Sequence, residues 1–231
     1  MTKTVSAATS IFFIIASVSM AFLAYERNSL WLTAPGLWAD AAEKSPVKAR
    51  PHYNYGTLLI TEGRLEEAME ENMKVLEIKP NSPKALFNIG VIHHERDMID
   101  DAIGFYLTAL SLNPDLVQAH NNLGFAYYSK GLFEKAMVEY ERALTLKPEH
   151  LKAYINRGYI YRDTGRYNEA INEYKKALYY RPDYARAYYE IGRVFELQGN
   201  YDKAVEYYQI TLRLSPGSTE ASSRLMILYN K

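Results

Sequence analysis

The sequence predicts an all-α solenoid of antiparallel helix pairs, on three observations that share one period. Glycines stand at Gly56, Gly90, Gly124, Gly158 and Gly192, each 34 residues from the next. Twelve residues after each comes an alanine (Ala68, Ala102, Ala136, Ala170, Ala204), and twenty-four after each a proline (Pro80, Pro114, Pro148, Pro182, Pro216). A fixed period of this length marks stacked repeats, in which one unit cannot bury its apolar face alone and neighbours share a continuous core.

Each unit reads as helix A, a short turn and helix B. The glycine and alanine columns fall where two helices cross closely and a larger side chain would clash. A second turn residue at Gly63, Gly131, Gly165 and Gly199 permits the left-handed φ that ends helix A, with Asp97 in its place in the second unit. Helix B opens near Glu66, Asp100, Glu134, Asn168 and Asp202. Those side chains are suited to cap free backbone N–H groups and, where acidic, to complement the helix dipole. Helix B ends before the proline, which cannot continue it, and Lys79, Lys147 and Arg181 favour its negative end. Tyr106, Tyr140, Tyr174 and Tyr208 form one column of large residues, and Leu59, His93, Tyr127, Tyr161 and Phe195 another. Both read as packing between helices.

The frame runs past both ends. Pro46 lies 34 residues before Pro80, so Thr33 to Ser45 reads as a lone B-type helix; Leu225 lies 34 after Ile191, so Thr219 to Lys231 reads as a closing A-type helix. Such caps cover the apolar face that an unstacked repeat would expose. The expected organisation is an N-terminal signal anchor or signal peptide (1–27), a linker and lone capping helix (28–48), five repeats (49–82, 83–116, 117–150, 151–184, 185–218) and a C-terminal capping helix (219–231).

Val5 to Tyr25 holds no charged side chain and is bounded by Lys3 and Glu26. About 21 residues at 1.5 Å each span roughly 30 Å, the depth of a bilayer core. A retained single-pass anchor is one reading. A signal peptide cleaved near Ser19-Met20-Ala21, which would release a soluble exported form, is a second, and a buried core helix a third. The positive N-terminus and Lys3 lean toward an N-terminus inside and the repeats in the periplasm or otherwise outside the cytoplasm.

The 27 basic and 27 acidic side chains cancel, which gives no global argument for a nucleic-acid partner. The absence of cysteine excludes disulfides, thiolate metal sites and a cysteine nucleophile. His93, His94 and Glu95 are consecutive, so their side chains diverge around a helix and do not have zinc-protease spacing. His52 and His120 share one repeat position, where packing suffices. The glycines are periodic and cradle no phosphate, and no nucleophile–base pair is discernible. The expectation is a non-enzyme without cofactor or metal.

The glycine, alanine and proline columns with interleaved aromatics resemble the tetratricopeptide repeat family over Ala49 to Ser218. The resemblance implies a right-handed superhelix with a concave face built mainly by the A helices, and a protein or peptide partner on it. A narrower resemblance lies in Tyr25-Glu26-Arg27-Asn28, Leu37-Trp38-Ala39-Asp40, Lys44-Ser45-Pro46 and Arg50-Pro51-His52-Tyr53-Asn54-Tyr55-Gly56. These runs are similar to the border between the last membrane helix and the repeat tail of polytopic membrane O-mannosyltransferase-like proteins. That implies the tail without the enzyme, and a second role as the subunit that presents acceptors to a membrane glycosyltransferase. Self-assembly through open solenoid ends is a third.

Two columns carry the candidate site. Two residues before each glycine stand Asn54, Asn88, Asn122 and Asn156, with Glu190 breaking the series; six before stand Arg50, Lys84, Gln118, Lys152 and Arg186. Residues four apart share a helix face, so both columns lie on one side of helix A. An asparagine amide offers two donors and an acceptor to an extended peptide backbone, as in the similar repeats of O-GlcNAc transferase, and it equally suits a bond between neighbouring helices. The basic column suits an acidic segment or a solvated helix end. Phe87, Asn121, Phe125, Tyr128, Tyr159, Arg162, Tyr189 and Arg193 complete an aromatic and basic face suited to anchoring peptide.

Overall fold

The structure, a computed structural model, describes residues 34–229. They form twelve α-helices and no strand: α1 (Ala34–Lys44), α2 (Ala49–Thr61), α3 (Leu65–Ile78), α4 (Pro83–Glu95), α5 (Ile99–Leu112), α6 (Val117–Ser129), α7 (Phe133–Leu146), α8 (Leu151–Asp163), α9 (Tyr167–Tyr180), α10 (Ala185–Leu197), α11 (Tyr201–Leu214) and α12 (Thr219–Tyr229). The apolar run Val5 to Tyr25 lies outside the described residues, and no helix among those described is long and apolar enough to cross a membrane. The chain divides into two compact units between Ile92 and His93, in the last turns of α4.

In the first unit α1 packs on α2 and α2 on α3. Its core gathers Leu59, Ala68 and Ile92. Asn72 stands here at the position that tyrosine takes in later repeats, and it is fully buried. Its amide donates to the Ala68 carbonyl (2.7 Å), so the polar side chain is satisfied within its own helix. A Cβ on Gly56 would stand 2.5 Å from Asn72 Nδ2, which is why α2 and α3 approach so closely at a glycine.

In the second unit each helix from α5 to α12 packs on the next, and the A helices α6, α8 and α10 also touch in sequence. Tyr140, Tyr174 and Tyr208 are fully buried, each lying against the glycine of the preceding helix. Ala136, Ala143, Ala170, Ala177 and Ala187 share the core of Tyr140 and Tyr174 at zero exposure, and Ala204 and Ala221 that of Tyr208. Small and large positions therefore interlock, which is how helices reach the packing density of a protein interior.

The turn from A to B is the same in every repeat. Gly63, Gly131, Gly165 and Gly199 have φ between 70° and 75°. The next residue's N–H reaches back to close the helix, as from Arg64 to the Leu59 carbonyl (2.9 Å) and from Leu132 to Tyr127 (2.9 Å). Asp97 takes the same place at φ 61°. A side chain in left-handed backbone costs about 1 kcal/mol that glycine does not. Asp97→Gly is accordingly expected to raise stability by about 1 kcal/mol, read as a shifted chemical-denaturation midpoint at unchanged helicity. A drop in midpoint would show that the Asp97 side chain holds the turn.

The expected capping of helix B is corrected by the backbone. The B helices begin one residue earlier than the acidic positions, and Arg64, Met98, Leu132 and Arg166 precede them without a side-chain cap. Among these five B helices of the described residues Asn200 alone caps, accepting from the Lys203 N–H at 3.3 Å. Glu66, Asp100, Glu134, Asn168 and Asp202 thus sit inside the first turn, beyond the cap, where the acidic ones complement the dipole. The glycine turn fixes where the helix starts, so the cap position falls to whatever residue follows the glycine.

Candidate functional site

The residues singled out on the A helices fall in both units. In the first, Arg50 and Lys84 are exposed and Asn54 half-buried, and Lys84 Nζ lies 5.7 Å from the centre of the Tyr53 ring. Asn88 is only 3% exposed. Its amide donates to Thr57 Oγ1 (2.9 Å) and to Asn72 Oδ1 (3.0 Å), so both protons serve packing between helices.

In the second unit the A helices bring most of the remaining residues together. The rings run in a row: His94 stacks on Phe125 (5.3 Å between centroids), Phe125 on Tyr128 (5.9 Å), and Tyr128 tilts toward Tyr159 (6.3 Å). Phe125 is 36% exposed, high for a phenylalanine held in an aromatic row. The Tyr128 hydroxyl donates to Asp163, and burial, then Asp163, pushes the Tyr128 phenol up to about 12. Burial lowers the His94 imidazole, so at neutral pH this ring stacks as a neutral aromatic.

The row ends in a charged cluster built on Glu190. This carboxylate is 1% exposed. It accepts from the Tyr159 hydroxyl (3.1 Å) and from Arg162 Nη1 (3.0 Å), and pairs with Arg186 Nη2 (2.8 Å). Arg162 also donates Nε to Asp163 (2.8 Å), and its guanidinium lies 4.8 Å from the Tyr159 ring centre. Arg186 donates Nε and Nη2 to the Tyr159 hydroxyl (3.2 and 2.9 Å) and lies over Tyr189 (5.3 Å). Burial opposes the charge on Arg162 and Arg186, and their carboxylate and phenol neighbours outweigh it, so both are held firmly protonated. Arg193 reaches the Tyr189 hydroxyl at 3.5 Å.

The asparagines of this unit behave differently from one another. Asn156 is half-buried and donates to Asn121 Oδ1 (3.1 Å), while Asn121 donates to Asn122 (3.1 Å). Asn122 is half-buried and accepts that bond from Asn121. Lys152 is exposed. Three members of the cluster are not singled out as site residues by the sequence. Glu190 is visible there only as the break in the asparagine column, a carboxylate where its neighbours carry amides. His94 occupies the repeat position of Tyr128 and Arg162, 34 and 68 residues on. Asp163 gives no signal, because it lies outside both columns.

His52 and His120 each make their contacts within their own unit. His52 Nδ1 meets Glu71 Oε2 at 2.6 Å and Nε2 the Pro46 carbonyl at 3.3 Å. His120 repeats this with Glu139 (2.6 Å) and Pro114 (2.8 Å). Each histidine ties helix A to helix B and to the preceding turn, which is a packing role.

Thirteen-residue A helices alternate with fourteen-residue B helices, each pair closed by a left-handed residue, and this defines a helical-repeat protein whose fold is a scaffold for protein interactions. The chain belongs to the tetratricopeptide repeat family. Models described as tetratricopeptide repeat match residues 49–82, 117–150 and 185–218, and one described as TPR repeat matches 98–131 and 158–199. Among curated proteins the chain is 31% identical over 64 residues to the protein O-mannosyl-transferase TMTC1 of Homo sapiens, and equally to that of Mus musculus. The match covers 28% of this chain and 7% of those relatives' length. Among solved structures, that of MamA is 28% identical with TM-score 0.58, covering 70% of this chain and 94% of MamA. The thermophilic TPR protein TTC0263 of Thermus thermophilus superposes with TM-score 0.70 at 19% identity, covering 80% of this chain and all of its own. YrrB, described as a TPR protein with an unusual peptide-binding site, gives TM-score 0.55 at 22% identity, covering 80% of this chain and 96% of its own.

Proposed function

We propose that this protein is a non-catalytic scaffold that captures a peptide segment of a partner protein on the A-helix face, tethered to a membrane through Val5 to Tyr25. The observation that carries this is the row of rings on α6 and α8, which ends on arginines already fixed in place by Glu190 and Asp163. Binding loses least when anchors are ordered beforehand, and aromatic and arginine side chains dominate interface energetics. The face offers ordered ring and arginine anchors, and its carboxylates are engaged by those arginines and by phenol hydroxyls.

A photocrosslinking residue placed at Phe125 in the full chain, expressed in its native membrane setting, is expected to trap a partner. The same residue at Tyr179, 81% exposed near the end of α9, is expected to trap much less. Equal trapping at both positions would remove the A-helix face from consideration, and recovery of the chain from the soluble fraction alone would remove the tether.

A second reading is that the chain presents acceptor proteins to a separate membrane glycosyltransferase. The 31% identity to an O-mannosyl-transferase supports it, over the short stretch that the two share. It requires loss of protein glycosylation when the chain is deleted, and co-purification with a polytopic partner.

A further inference from the structure

We infer that the segment captured on the second unit is bipartite, with an apolar or aromatic half lying over α6 and an acidic half lying over α8 and α10. The inference rests on the scaffold reading above and adds the chemistry of the ligand.

Charge is unevenly placed on the three A helices: absent on α6, net positive on α8 and balanced on α10. At the four repeat positions that form the face, α6 carries Gln118, Asn122, Phe125 and Tyr128, none of them charged. The same positions of α8 carry Lys152, Asn156, Tyr159 and Arg162. Those of α10 carry Arg186, Glu190, Arg193 and Glu196. The carboxylates among these are already committed. Glu190 binds Arg162 and Arg186, and Glu196 accepts from the Tyr208 hydroxyl (2.6 Å) and pairs with Arg224 (3.5 Å). Asp163 is held by Tyr128 and Arg162.

The cations other than Arg162 keep capacity. A guanidinium has five N–H donors in a planar fork. Arg162 spends Nε and Nη1, lies against Tyr128 and is 17% exposed, so it is largely committed; Arg186 spends Nε and Nη2 and, at 45% exposed, is open to a ligand. Arg193 and Lys152 pair with no carboxylate among the described residues; Arg193 meets a phenol, and Lys152 is exposed. A carboxylate-bearing segment complements this end, whereas a basic one would face unbalanced like charge. At the α6 end the exposed Phe125 ring, flanked by His94 and Tyr128, offers apolar area without charge.

The test uses the full chain, immobilised, against a displayed library of random short peptides. Enriched peptides are expected to combine aromatic or aliphatic residues with a run of Asp and Glu, and to weaken about tenfold or more in moderate salt as screening predicts. The double variant Lys152→Gln/Arg193→Gln removes two cations without breaking the ion pairs of Glu190 with Arg162 and Arg186, and should leave the helical circular dichroism unchanged. It is expected to abolish the acidic bias while apolar binders persist, and Phe125→Ser is expected to release them. Enrichment that Phe125→Ser abolishes but that shows no acidic bias would overturn the inference and leave the scaffold reading standing. Enrichment of nothing, or of peptides indifferent to both variants, would overturn the two together.

Discussion

Gly158→Ala is expected to lower the stability of the repeats by about 3 kcal/mol, the upper part of the range for forcing extra atoms into a packed core. In an open helix the same exchange stabilises by about 0.5–1 kcal/mol, because alanine has the smaller entropy cost. Here a Cβ would lie 2.1 Å from Tyr174 Cε1 and 2.7 Å from Cδ1 and Cζ. Carbon atoms pack without strain at about 3.5–4.0 Å. The ring cannot swing away, because Tyr174 is fully buried among Ala170, Ala177 and Ala187. So α8 and α9 must part, and their apolar seam with them. Gly104→Ala is the control, since a Cβ there meets nothing within 4 Å, and it should stabilise. Gly124→Ala and Gly192→Ala, at 2.7 and 2.8 Å from Tyr140 and Tyr208, should fall between. Denaturation midpoints of the series give the ranking, and a Tyr174→Leu background should remove most of the Gly158→Ala cost. If Gly158→Ala proves as benign as Gly104→Ala, the close crossing of α8 and α9 is wrong.

These glycines show why the fold was legible. A left-handed turn and a close helix crossing each admit very few residue types, so the crossing column survives intact, the turn column breaks only at Asp97, and together they announce the period. Helix starts were less legible. Several residues do equally well there once the Gly131 type of turn has closed helix A, and Leu132 precedes a helix without a side-chain cap. The candidate site was legible as a face, because residues four apart must share one. Its wiring was not. The column containing Asn88 allowed either a free amide or a bond between helices, and only the position of Thr57 and Asn72 decides for the latter. Asp163 and Glu190 depend on how far apart successive A helices stand, a distance that no spacing within one helix encodes. The charged cluster follows from that distance: Arg162 reaches forward from α8 to Glu190 on α10, while Arg186 reaches it from the turn before.

Glu190→Leu tests that wiring and is expected to cost about 3–5 kcal/mol, as when one partner of a buried ion pair is removed. The leucine would fill the space, so the loss is electrostatic. Arg162, whose side chain is 17% exposed, would keep only the more exposed Asp163, and Arg186 would face it with no carboxylate between. The Tyr159 hydroxyl would lose its acceptor while still receiving from Arg186. Glu190→Asn should cost less, because the amide oxygen still accepts from one arginine and the side chain matches those of Asn122 and Asn156 in the frame. Removing Arg162 as well, in Arg162→Leu/Glu190→Leu, should recover part of the loss, since an apolar pair of similar volume avoids stranding a charge. The signature is therefore a double variant more stable than the single one, measured by denaturant midpoint. If Glu190→Leu alone is as stable as the parent, the arginines are held by something other than this carboxylate. The preorganised face would then lose the feature that fixes its cationic end.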